Sequence, residues 1–144
     1  MATRDAEPVF VDTNVLVYAH VAEAPWHQEA QEAIADHEAA GAPLWISRQV
    51  LREYMVSLTR PQQFPIPPEL TTVVAQVQQF QQRFHVANEG PEVTTRLLAL
   101  LLEVPTRGRR IHDANIVATM LVYGVRRLLT TTPTTSCGSP RSLR

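Results

Sequence analysis

The chain alternates short, continuously apolar runs with longer stretches of helical periodicity, and few folds accept that order. Val9-Phe10-Val11 and Leu44-Trp45-Ile46 are apolar at every position, as strands covered on both faces must be. His85-Val86-Ala87 and Arg127-Leu128-Leu129-Thr130 read as two further strands. Between them, helices are predicted over 14–20, 26–40, 47–59, 69–83, 91–103 and 111–123. Their ends carry the expected punctuation: Ser47 as an N-cap, Pro91 in a first turn, and Gly41 and Gly124 after last turns. Strands that alternate with helices predict an α/β fold of three layers, with a central parallel sheet and helices on both faces.

The prolines at 61, 65, 67 and 68 mark a loop too short for a domain linker, so a single domain over 8–133 is expected, followed by an irregular tail over 134–144. Hydrophobic residues at 44% and charged residues at 19% are ordinary for a globular chain. The longest apolar run, Leu97 to Leu102, is far too short to cross a bilayer and the start shows no basic-then-apolar signal, so a cytoplasmic location without a membrane partner is expected. Cys137 stands alone, which excludes an internal disulfide and a thiolate metal site. All 13 basic residues are arginine. Receiver domains and haloacid-dehalogenase-like phosphatases also place an Asp after the first strand, but both need a lysine that this chain lacks. No His pair has HExxH spacing, so a zinc hydrolase is not supported. Arg107, Arg109 and Arg110 form the one dense basic cluster, either a phosphate contact or a solvated loop.

Two of the four Asp residues occupy positions that burial alone would not select, and one Glu gains weight from their company. Asp12 ends the first apolar run, at the C-terminal edge of the sheet where open α/β folds bind ligands; capping the next helix is its competing role. Asp113 opens the last helix one turn before Val117, on the side expected to face the core with Ile116, Met120 and Leu121. A first-turn acid serving the helix dipole is the alternative. Glu53 lies at the margin of the stripe Val50, Leu51, Tyr54 and Leu58, and would be an ordinary surface residue without the other two. Carboxylates gathered at one sheet edge repel one another unless a cation neutralises them. Hard oxygen donors select Mg2+ or Mn2+, which can lower the pKa of water and offset phosphate charge, so the expected chemistry is hydrolysis of a nucleic acid.

The motifs themselves resemble a known family. Val9-Phe10-Val11-Asp12-Thr13-Asn14-Val15-Leu16 resembles the first strand and DTN motif of PIN domains. Ser47 to Glu53 resembles the helix that carries the family's glutamate, and His112-Asp113-Ala114-Asn115-Ile116-Val117-Ala118-Thr119 resembles its last acidic helix. The three acids are spaced 41 and then 60 residues apart in the family's order. In size the chain is similar to VapC-type toxins. That resemblance implies an Mg2+-dependent (or Mn2+-dependent) endoribonuclease whose metal and catalytic residues are Asp12, Glu53 and Asp113. Thr13 would support them and Asn14 would orient Asp12. The implied partners are RNA, a small VapB-like antitoxin and a second copy in a homodimer. His112 is read as a solvent-facing or capping residue rather than a general base. Trp26 and Trp45 are read as core residues, with RNA base stacking as their alternative.

The chain departs from the family at its end. PIN domains carry a fourth Asp or Asn just beyond the last strand, in a segment like LLTHNPxDF. Here that segment is Leu128-Leu129-Thr130-Thr131-Thr132-Pro133-Thr134-Thr135-Ser136, the fourth position falls near Thr132, and no Asp or Glu occurs from Ala114 to Arg144. Thr130 to Gly138 can be encoded as ACC ACA ACC CCG ACG ACT TCG TGC GGT. One C inserted after the first codon makes this Thr-His-Asn-Pro-Asp-Asp-Phe-Val-Arg, the family's ending. The sequence thus points to a shifted reading frame from about Thr131, and to weakened activity. The competing reading is an inactive PIN domain that keeps only antitoxin binding.

Overall fold

The computed structural model describes residues 6–60, 66–131 and 140–143, and among them forms an α/β fold with helices on both faces of one sheet. Strand β1 (Val9–Val11) leads into α1 (Thr13–His20) and α2 (His27–Ala39); β2 (Leu44–Ser47) leads into α3 (Arg48–Thr59) and α4 (Leu70–Arg83). Strand β3 (His85–Ala87) is followed by α5 (Pro91–Glu103) and α6 (Arg110–Tyr123), then β4 (Arg127–Thr131) and β5 (Pro140–Leu143). The sheet order is β3-β2-β1-β4-β5. The first four strands run parallel; β5 pairs antiparallel to β4, Thr131 opposite Pro140. The sequence reading put residues 140–143 in an irregular tail, because Leu143 is their only large aliphatic; backbone pairing with β4 makes them a strand instead.

Chain direction through the sheet reverses at β1. The chain steps outward through β2 and β3, then returns to β1's other side with β4, so the C-terminal ends of β1 and β4 flank the switch point where open sheets leave room for a ligand. Val9, Phe10 and Val11 are at most 1% exposed, which is why this segment tolerates no polar residue before Asp12. Leu16, Ile34, Ile46, Val50, Tyr54, Phe80 and Leu129 complete the core around it. The Phe80 ring meets Tyr54 edge-on at 4.9 Å and joins α3 to α4.

Helix α6 corrects one expectation. Ile116 and Met120 are buried as predicted, but Val117 and Leu121 are 43% and 46% exposed while Ala118 and Thr119 are buried in their place. Helix α6, which packs against α5, buries Ile116, Ala118, Thr119 and Met120, a stripe turned away from the expected one. Asp113, one turn before Val117, accordingly stands at an exposed rim rather than over the core. Among the described residues no helix is long and apolar enough to cross a membrane.

Candidate functional site

Asp12 performs both roles that its position allows. Its Oδ1 accepts the Thr13 backbone N–H at 2.8 Å and caps α1, while Oδ2 accepts the Thr130 hydroxyl at 2.8 Å from the end of β4. Its own backbone N–H donates to the Leu129 carbonyl at 3.0 Å. Burial pushes the Asp12 carboxyl above its ordinary value; the bonds from Thr130 and Thr13 oppose that, and the negative charges of Glu53 and Asp113 add to it.

Glu53 reaches the same place from α3. Ser47, fully buried, starts that helix by accepting the Val50 N–H at 3.3 Å. One turn later Gln49 donates to Glu53 Oε1 at 2.7 Å, and the Thr13 hydroxyl donates to Glu53 Oε2 at 2.8 Å. Both carboxylate oxygens are therefore held, one from its own helix and one from the residue that follows Asp12. Asp113 comes from the first turn of α6.

The three acids line one open cleft of about 570 Å3, together with Thr13, Asn14, Gln49 and His112. Arg52, Arg60 and Arg109 line it too, so positive charge rims a negative floor. Among the described residues no group of three His, Cys, Asp or Glu side chains stands close enough to grip a metal ion directly. The donor set is nonetheless all hard oxygen, and burial first, then the charges of Glu53 and Asp113, push the Asp12 carboxyl above its ordinary value. That chemistry fits a divalent cation that keeps part of its water shell and meets the carboxylates partly through it.

Other sequence readings sort differently. Thr13 is a supporting residue, through its bond to Glu53. Asn14 lines the cleft but is exposed and makes none of the side-chain hydrogen bonds found at Asp12; Thr130 does that work instead. Arg109 reaches the cleft, whereas its neighbours Arg107 and Arg110 are not among its lining. Neither tryptophan lines the cleft. Trp26 meets Tyr18 edge-on at 5.5 Å and Trp45 stacks on His85 at 5.0 Å, both half-buried. Thr132, where the fourth acid would fall, lies outside the described residues.

Sequence reasoning missed Gln49, Asn115 and Glu89. Gln49 is 4% exposed; besides Glu53 its amide donates to the His112 carbonyl at 2.9 Å and accepts from Asn115 at 2.7 Å. Asn115 also donates to Glu89 at 3.2 Å, and Glu89 pairs with Arg52 at 3.1 Å. The available signal was a Gln four residues before Glu53, on the same helix face.

The PIN domain family model matches residues 9–131, and the chain belongs to that family. No curated protein sequence matches it. Among solved structures it is similar to the Mycobacterium tuberculosis toxin VapC20, described as Sarcin-Ricin loop cleaving. The TM-score is 0.63 at 19% identity, over 83% of this chain and 86% of that one. A toxin-antitoxin complex from Klebsiella pneumoniae gives 0.60 at 22% identity over 86% of each chain. Rickettsia felis VapBC2 bound to a promoter DNA fragment gives 0.59 at 17% identity, again over 86% of each. At these identities the likeness shows that the chain shares the fold of VapC toxins.

Proposed function

We propose that the chain is a Mg2+- or Mn2+-dependent endoribonuclease, the toxin of a toxin–antitoxin pair. The observation that carries this reading is the meeting of Asp12, Glu53 and Asp113 in one cleft at the sheet's switch point, where the Asp12 carboxyl already feels the other two charges. A bound divalent cation supplies Lewis acidity there, acidifying water and offsetting charge on a phosphodiester. Asp12, Glu53 and Asp113 would hold it, in part through its water shell. Thr13, Thr130 and Gln49 keep the first two carboxylates from turning away. Arg60 and Arg109 on the rim would receive the flanking RNA phosphates, each as a charge-assisted contact.

The partners follow the same logic. The toxin-antitoxin complexes among the similar structures support a small VapB-like antitoxin. An apolar cavity of about 310 Å3 lined by Val21, Tyr54, Leu58, Ile66 and Val73 offers an amphipathic segment a seat. For a homodimer, Leu98 and Leu102 on α5 and Val117 and Leu121 on α6 supply exposed apolar pairs at i, i+4 spacing.

The test is Mn2+-dependent cleavage of structured RNAs by the purified chain. Cleavage that needs the cation and is lost in Asp12→Asn is the expected result; cleavage indifferent to both would sink the proposal. A second reading, an antitoxin-binding domain with a failed catalytic centre, is favoured by the lack of any Asp or Glu after Asp113. Co-purification with a small partner and no cleavage at any Mn2+ concentration is its signature.

A further inference from the structure

The geometry points to Gln49 as a positioning residue that sets the distance between the Glu53 and Asp113 carboxylates, and through it the cation affinity of the cleft. This rests on the reading of the cleft as a cation-dependent site. Helix α3, which carries Glu53, packs on α1 and α4, whereas α6, which carries Asp113, packs on α5. The two acids therefore come from separate helix groups, and side chains must tie them together. Gln49 does so with one buried amide: its Nε2 donates to Glu53 Oε1 at 2.7 Å and to the His112 carbonyl at 2.9 Å. The second of these is the peptide that leads directly into Asp113. Both acceptors lack hydrogens, so both N–H groups of the amide are committed and its orientation is fixed. Asn115 then donates to the amide oxygen at 2.7 Å. Its other contact, the Glu89 carboxylate at 3.2 Å, likewise demands the nitrogen, so the whole network has a single consistent direction. A glutamine 4% exposed with every amide hydrogen engaged is an expensive way to fill space, since an apolar side chain of the same length would pack without needing partners. What it contributes instead is register: it fixes the rotamer of one carboxylate and the backbone under the other.

Gln49→Met keeps the volume and removes the three bonds. Free Mn2+ in titrations of the wild type, Gln49→Met and Asp12→Asn is measured by electron paramagnetic resonance, with thermal unfolding in EDTA to establish that each variant is folded. The expected result is a wild type that binds Mn2+, an Asp12→Asn that loses binding, and a folded Gln49→Met whose dissociation constant rises about 10- to 100-fold, the range for groups that orient a ligand from behind. A merely structural glutamine would lower the melting temperature and leave the affinity of the folded protein unchanged, and that result overturns the proposal while sparing the cation site. A wild type without measurable Mn2+ binding overturns both. Should Gln49→Met fail to fold, Asn115→Ala, at a half-buried position, decides in its place: weaker Mn2+ binding supports the tie, and wild-type affinity refutes it.

Discussion

Asp12 caps a helix and charges a cleft with the same side chain, so replacing it separates stability from activity. An asparagine preserves both hydrogen bonds, its oxygen accepting from Thr13 and its amide donating to the Thr130 hydroxyl, while the charge disappears. Because the folded protein raises the Asp12 carboxyl above its reference of 3.8, folding favours the protonated form. The stabilising effect of that shift is complete below 3.8 and is lost as pH rises through the raised value. Asp12→Asn should therefore melt at a higher temperature than the wild type in EDTA at neutral pH, with the gap closing as the pH approaches 3.8; a gap independent of pH would argue against charge as the cause. In the same variant Mn2+-dependent cleavage should fall about 100-fold or more, the scale of losing a few kcal/mol of charge stabilisation. Asp12 was legible because it ends a buried apolar strand; Asp113 was picked from a stripe that α6 turns outward, and Glu53 only from the company of the other two. Gln49 and Thr130 were not legible: a neutral amide and a hydroxyl look alike on a surface and in a buried tie, and only the fold brings Thr130 to Asp12 across 118 residues of chain.

At the scale of elements, the caps and apolar stripes were readable, and the exposure pattern of α6 was not. Ser47 and Gly124 bound their helices as expected, because capping is local chemistry. Ser47→Ala should cost about 1 kcal/mol in urea unfolding by freeing the Val50 N–H. Val117 was misjudged because the packing of neighbouring elements, not apolar character alone, decides which stripe of a helix is buried, and in α6 that stripe holds Ala118 and Thr119. The last residue of α1, His20, makes a second pH-sensitive feature. Burial, then the charges of Arg83 and His27, push its ring below 6.5, against the raising effect of its bond to the Leu16 carbonyl at 2.8 Å. Its edge packs on Phe80 at 4.8 Å. The fold prefers the neutral ring, so this contribution is complete above pH 6.5 and lost as the pH falls through the depressed value. Urea midpoints should thus decline below pH 6.5 in the wild type and decline less in His20→Gln; equal slopes would remove His20 from the account.

For the whole molecule, the order of strands was not legible, only their alternation with helices; three-residue strands such as β1 and β3 carry too little pattern to reveal their neighbours. The tail is where sequence and family part. If residues from Thr131 onward are replaced by the reading that one inserted nucleotide restores, an acid returns near the fourth position, and cleavage at limiting Mn2+ should rise at least about tenfold, the equivalent of ~1.4 kcal/mol. Equal rates for the two forms would mean that Asp12, Glu53 and Asp113 suffice.

The bond from Thr130 to Asp12 joins the two ends of the domain, and it bears on the moment at which the cleft first exists. While the polypeptide is being made, β1 emerges early and waits without the strand that will flank it on the β4 side. Until that strand arrives, Asp12 has neither the Leu129 carbonyl beneath its backbone nor the Thr130 hydroxyl on its carboxylate. The cleft is thus completed only when β4 joins the sheet, after α1 to α6 have all been made.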